Sequence, residues 1–402
     1  MAAMSPRIVS LIGMASILAL CVLLSRDRRA INGITVCWGV ALQFVFALLI
    51  LKTYPEALFA GARALFSGIT TFSCAGATFL FGSLAEKKDL VILSMASVII
   101  FVSAMMAVLS FLRILPAIIY GLARLLQWTM RTSGAETLAA AMFVLMGIEA
   151  VTGLRTVIER LTRSELFSVM TCFMATIAGS VMAVYVGVFG ANPGYIMAAS
   201  IMNAPAALTL SKIMFPETES PETAGGVRWD VLIPRERGIV ESAANGALDG
   251  LRLSATVGAM LLAFVSIIHM LNALLGVLGT SFETLGGYVL APVAYLLGIP
   301  WEDCSKAGTL LALKTVFNEW LAYSRMHEMV QAGELSPRST MILTYSLCSF
   351  ANFGSLAILI GGISAIAPDR KGEVISLGFR ALLTGLLAGF SSAAMAGILS
   401  EA

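Results

Sequence analysis

Apolar positions fall along this chain in long unbroken runs, closed by charge, glycine or proline, rather than in the alternation of a soluble protein. A membrane-spanning helix needs about 20 apolar residues. The stretches 8–25, 33–52, 89–115, 165–190, 193–213, 255–278, 339–363 and 375–399 come near or reach that length. Two further stretches, 135–160 and 305–332, are apolar enough to enter a bilayer but are interrupted by a carboxylate beside small or polar residues. Gly147 and Glu149 interrupt the first, Asn318 and Glu319 the second. Broken backbone is tolerated at membrane depth only where protein or a water-filled cavity surrounds it. Both stretches are therefore expected to be re-entrant helical hairpins. Segments 56–68 and 283–299 do not fit as spans and predict helices lying along a membrane face.

The basic loops orient this arrangement. Arg26, Arg28 and Arg29 belong on the cytoplasmic side. Counting three spans to the first hairpin then places Arg155, Arg160 and Arg163 inside. It also places Lys212, the polar stretch 214–252, and Arg370 with Lys371 inside, and both termini outside. The order of parts repeats: a hairpin with a carboxylate, a span with a polar break, another span. The breaks fall at Thr176 and at Asn352, Gly354 and Ser355. With the hairpins entering from opposite sides, this is an inverted repeat, a common plan of secondary transporters. The expected fold class is thus all-α and integral to the membrane, with about eight transmembrane helices and two opposed re-entrant hairpins. The expected divisions are 1–133 (scaffold spans and interfacial helix), 134–252 (first repeat and cytoplasmic loop) and 253–402 (spanning helix, interfacial helix and second repeat).

Composition agrees. Apolar residues make up 58% of the chain and charged residues 12%, against about 25% charged in soluble domains. A net charge of +2 gives no case for nucleic-acid binding. The apolar run from Ile8 to Ser25 is too long for a signal peptide and is followed by charge rather than small residues, so a retained first span is expected. The six cysteines form no CxxC pair and are expected to be small buried hydrophobes. With only His269 and His327, no metal site is expected. His269, inside an apolar run, is read as a buried neutral histidine bonded to backbone, and His327, near a hairpin mouth, as solvated. No P-loop, HExxH or GxSxG motif stands in a suitable setting, so neither an enzyme nor a cofactor is expected.

The chemistry concentrates in the hairpins and breaks. An intramembrane carboxylate is costly unless it faces a cavity, a partner or a solute, which singles out Glu149 and Glu319. Asn352 and Ser355 share one helix face, can both donate and accept hydrogen bonds, and with a carboxylate suit a polyhydroxylated solute; interhelical hydrogen bonding is the competing role for them. Phe350 can supply an apolar wall. Lys314 can pair with a carboxylate or reach outward, and the sequence leaves both open.

Several motifs together resemble the concentrative nucleoside transporter family over nearly the whole chain. They are Val257-Gly-Ala-Met260, Asn318-Glu319-Trp-Leu-Ala-Tyr323 and Ser349-Phe-Ala-Asn352-Phe-Gly-Ser355, supported by Thr78-Phe-Leu-Phe-Gly82, Ser164-Glu-Leu-Phe167 and Phe215-Pro-Glu-Thr218. The resemblance implies a homotrimer in a bacterial-type cytoplasmic (inner) membrane, with a solute site in each protomer. It implies ribose contacts from Glu319, Asn352 and Ser355, packing near the solute by Phe350, and a nucleobase contact by Glu149. The first hairpin departs from the family pattern. In Met146-Gly147-Ile148-Glu149-Ala150-Val151, Gly147 and Ile148 stand where the family reads the base with Gln and Thr, and Val151 replaces a common Pro. Met142 stands where sodium-coupled members carry an Asn ligand, while Thr176 keeps a hydroxyl where they carry Ser. Sodium prefers oxygen ligands and a thioether is a poor substitute. The expected partners are a nucleoside-like solute, the lipid bilayer and a coupling ion, H+ rather than Na+, with Thr176, Glu149 and Glu319 as coupling candidates. The expected function is ion-coupled import by an elevator-like or gating motion; the alternative is a transport-deficient relative acting as a membrane solute sensor or scaffold.

Overall fold

The computed structural model describes residues 5–53, 55–86, 91–147, 150, 154–224, 226, 232 and 236–400, and they form a helical bundle. Among the described residues, eight helices are long and apolar enough to cross a membrane. The chain begins with α1 (Pro6–Leu23), α2 (Gly33–Leu48), α3 (Pro55–Phe81), α4 (Val91–Phe111) and α5 (Ile114–Met130). The first hairpin supplies α6 (Gly134–Met146) and the short α7 (Arg155–Ile158). A broken span follows as α8 (Arg163–Ala175) and α9 (Gly179–Gly187), then α10 (Pro193–Met214). The long α11 (Ile239–Gly276) leads to α12 (Phe282–Leu296). The second hairpin is α13 (Trp301–Val316) and α14 (Glu319–Gln331), the second broken span α15 (Pro337–Leu347) and α16 (Phe353–Ile366), and the last helix α17 (Lys371–Leu399).

Three expectations are corrected. Segment 56–68 does not end at 68 but is the first half of the longer α3. Its stretch Ala60–Ala85 is long and apolar enough to cross a membrane. The helix runs on through the small and hydroxyl residues after Gly68, with Thr70 and Thr71 returning their hydroxyls to the carbonyls of Phe66 and Ser67. The second correction is at 214–252, where helix α11 already begins at Ile239. Its polar first turns stay helical because Gly246 and Gly250, four apart, let it lie against α4; a Cβ at Gly250 would come 2.7 Å from Ile100 Cα. Third, His269 is exposed on α11, not buried, and Cys37 and Cys74 are exposed too.

Hydrogen bonds fix how the repeats lie. Ser133 and Thr162 each head a helix with a reciprocal cap to Glu136 and Glu165. Both heads close on one segment: Thr223 accepts from Gly134 N at 2.9 Å and donates to Glu165 at 2.9 Å. The chain thus leaves at Gly134 and returns at Thr162, and the first stretch is a hairpin with its mouth there. Lys212, at the C-terminal end of α10, pairs with Glu136 and bonds Ser164 at 2.8 Å. The second hairpin closes likewise. Asp303 accepts from Ser336 N and Ser339 Oγ at 3.0 and 2.6 Å, and Lys306 donates to Glu334 O at 3.0 Å.

Helix α10 runs alongside both broken spans. Its C-terminal half runs beside α8, where Ser211 and Ser168 hydroxyls share a 2.9 Å hydrogen bond. Its N-terminal half runs beside α15, where Tyr195 and Tyr345 rings lie 6.1 Å apart. Because α8 leads from the first mouth and α15 from the second, the mouths lie at opposite ends of α10. The two breaks meet between them: Phe350 N donates to Thr176 O at 3.2 Å.

Candidate functional site

A helix broken inside a protein core must find partners for the backbone groups it abandons. The breaks at 176–178 and 348–352 find them partly in each other and partly in Asn203, midway along α10. Its amide nitrogen donates to Ala175 O at 2.8 Å and Cys348 O at 2.7 Å. Thr176 is buried at the first break, and its hydroxyl donates to Cys172 O at 2.8 Å.

The second hairpin turns at Phe317 and Asn318, and Asn318 caps α14 by accepting from Leu321 N at 2.9 Å. Glu319 is therefore the first residue of a helix, where the positive end of the helix dipole favours a carboxylate. It is 1% exposed. One carboxylate oxygen accepts from Asn352 Nδ2 at 2.7 Å and the other from the Tyr185 hydroxyl at 3.1 Å. Asn352 in turn caps α16, its side-chain oxygen accepting from Ser355 N at 2.8 Å. Glu319 is thus held by one residue from each repeat, with Tyr185 from α9 and Asn352 from the second break.

These side chains border one cavity. Glu319, Asn352, Ser355 and Phe350 line it with Asn318 and Trp320, and the first repeat adds Phe173, Ala178 and Val181. Leu253, Thr256, Val257 and Met260 of α11 close the remaining side. The cavity offers about 60 Å³ to water centres, room for several waters at roughly 10–15 Å³ each. Its chemistry is divided: a carboxylate, two amides and two hydroxyls on one part, and an apolar surface where Phe350 and Phe173 lie 5.9 Å apart at 34° on the other.

Of the residues singled out from sequence, Glu319, Asn352, Ser355 and Phe350 come together here. Thr176 lies behind the cavity wall, at the break beneath Phe350. Glu149, Ile148 and Val151 lie outside the described residues. Gly147 is described: it ends α6 with φ 61° and ψ −134°, a conformation that favours glycine. Met142 is buried in α6. Lys314 does not reach outward; it is buried, and among the described residues its hydrogen-bond partners are Ser349 Oγ at 2.6 Å and Ser346 O at 3.1 Å. His327 is half-buried, with its ring against Gly190. Tyr185 and Asn203 were missed in the sequence. Their only signal was a polar group inside an apolar run, which interhelical bonding explains equally well.

Three family descriptions match the chain in order. "Na+ dependent nucleoside transporter N-terminus" matches residues 12–84, "Nucleoside recognition" residues 92–192, and "Na+ dependent nucleoside transporter C-terminus" residues 195–397. The uncharacterized transporter YutK of Bacillus subtilis (strain 168) is 36% identical, the match covering 96% of this chain and 98% of that one. Sodium/nucleoside cotransporter 1 of Mus musculus is 35% identical over 98% of this chain; the match spans 64% of that protein's length. Among solved structures, CNTnw in an inward-facing substrate-bound state superposes with a TM-score of 0.92 at 36% identity, covering 97% of this chain and 98% of that one.

Proposed function

The chain belongs to the concentrative nucleoside transporter family, a family of multi-pass membrane proteins, and from that premise we propose that it imports nucleosides or similar ribosyl compounds by proton symport. The observation that carries this reading is the Glu319–Asn352 pair at the wall of a cavity between the two repeats. A carboxylate is acceptor-only and can take two hydroxyl protons, while Asn and Ser side chains can both donate and accept. Neighbouring hydroxyls on a ribose match such a set. The Phe350 and Phe173 rings beside it offer a flat apolar surface for a base.

The coupling ion is read from what surrounds the first break. Met142, at the position matched to an asparagine ligand, is 1% exposed and brings a thioether, a poor ligand for a hard cation. Thr176 would be the side-chain oxygen left to a sodium ion there. Glu319 and Glu149 are the groups that can take up and release a proton in a transport cycle, and Glu319 already touches both repeats through Tyr185 and Asn352. Protonating a carboxylate whose partners come from both repeats would change the hydrogen bonds that join them, which is how protonation can be linked to a change of state.

The reading is tested by uptake of labelled uridine and adenosine into proteoliposomes, alongside equilibrium binding to detergent-solubilised protein. Flux that excess unlabelled nucleoside competes and Glu319→Gln removes supports it. Binding with no flux would identify a solute sensor instead, and neither binding nor flux would overturn the nucleoside assignment.

A further inference from the structure

Lys314 is fully buried in the last turn of α13 and is not part of the cavity wall. Burying an amino group at membrane depth is costly unless it is well bonded. Among the described residues its hydrogen-bond partners are Ser349 Oγ and Ser346 O, neither of them charged, with the Phe390 ring centroid 5.6 Å from Nζ. Ser346 sits in the last turn of α15, whose carbonyls lose their helical partners where the chain unwinds at Cys348. That end of a helix carries partial negative charge, so the Lys314 amino group closes the broken helix. Gly389 of α17 leaves space for this contact: a Cβ there would come 3.2 Å from Ser349 Oγ.

The hairpin and the broken span are joined at a second point only a few residues on. Glu319 follows Lys314 across the turn at Phe317 and Asn318, and Asn352 follows Ser349 along the break. Lys314–Ser349 at 2.6 Å and Glu319–Asn352 at 2.7 Å are two rungs between the same two segments, one on each side of the turn. The second rung faces the cavity and the first does not. We propose that Lys314 is a positioning residue for the solute site: by anchoring Ser349 and Ser346 it sets the register in which Glu319 and Asn352 meet the solute. This inference rests on the nucleoside reading of the cavity. With the first rung cut, hairpin and break can slide, and the second rung persists in geometries that no longer fit the solute.

The test uses Lys314→Met, which keeps an unbranched chain, and Ser349→Ala, which keeps the lysine and requires no extra space. Hydrogen exchange in the ligand-free protein is expected to quicken in peptides covering 314–322 and 343–355 in both variants, and to stay unchanged over 163–175. Uridine Kd, and KM in uptake, are expected to rise about tenfold in Lys314→Met and about threefold in Ser349→Ala, with Vmax changed less. In an Asn352→Ala background neither variant should weaken binding further, because both act through the same rung. Unchanged local exchange, or Kd losses that add to that of Asn352→Ala, would overturn the proposal. If Lys314→Met does not fold, Ser349→Ala decides. If the wild type binds no uridine, the nucleoside reading fails, and the exchange measurement still decides whether Lys314 holds the break.

Discussion

Asn203 donates to the carbonyl of Cys348 at 2.7 Å, and from the same nitrogen to that of Ala175 at 2.8 Å. One side chain in the middle of α10 therefore ties together the two points at which the repeats unwind. Asn203→Ala leaves two buried carbonyls without their partner. An unsatisfied buried group costs about 1–3 kcal/mol. The variant should melt earlier in detergent by a stability loss of that order, and Asn203→Asp, which in its ionised form has no donor but keeps the size, should lose at least as much in the same thermal unfolding measurement.

Glu319→Gln should weaken uridine binding by about 10- to 100-fold, the equivalent of roughly 1.5–3 kcal/mol for a hydrogen bond to a charged group. Asn352→Ala should act in the same direction. Isothermal titration of the two variants decides. Wild-type affinity in both would place the solute somewhere other than this cavity.

On the proposed reading Glu319, Asn352 and Ser355 take the ribose, whereas Gly147 and Ile148, at the positions matched to the family's base-reading Gln and Thr, have no hydrogen-bonding side chain. Discrimination between uridine and adenosine should accordingly be weak. Competition binding with the two nucleosides measures it. A preference on the order of a thousandfold would contradict this, since ratios of that size need a polar group that rejects the wrong partner. Gly147→Gln should not restore selectivity, because the positive φ at this position strains any residue with a Cβ.

The crossing of α4 and α11 makes a prediction about stability alone. Gly250→Val would force a side chain against Ile100 and Ile99 O, where a Cβ already comes within 2.7 and 3.0 Å. Overpacking of this kind costs about 1–3 kcal/mol. The melting temperature should fall, while the uridine Kd of the protein that remains folded stays at the wild-type value.

The parts of this fold that show in the sequence are those whose physics is local. Apolar run length locates most spans, and the unaffordable carboxylate at Glu319 marks the second hairpin's turn. Thr176 and Asn352 mark the breaks because polar groups inside apolar runs demand partners. What did not show depends on distant residues. Helix α3 runs past Gly68 because Thr70 and Thr71 bond their own helix, although the same residues elsewhere end one. The first turns of α11 look like a polar loop until Gly246 and Gly250 are seen against α4. Tyr185 reaches Glu319 across 134 positions of chain and Asn203 reaches Cys348 across 145; no local pattern encodes either. Lys314 stood undecided between a carboxylate and solvent; it is buried and bonds the Ser349 hydroxyl and a backbone carbonyl at a helix end.

The most direct test of nucleoside–proton symport is the initial rate of labelled uridine uptake into proteoliposomes with an inward proton gradient and an inward sodium gradient each present or absent, choline replacing sodium. The account predicts uptake driven by the proton gradient, indifferent to the replacement of sodium by choline, and lost in Asn352→Ala. Strict dependence on sodium with no response to the proton gradient would contradict it, and would mean that Thr176 and backbone oxygens suffice to hold the ion without a ligand from Met142.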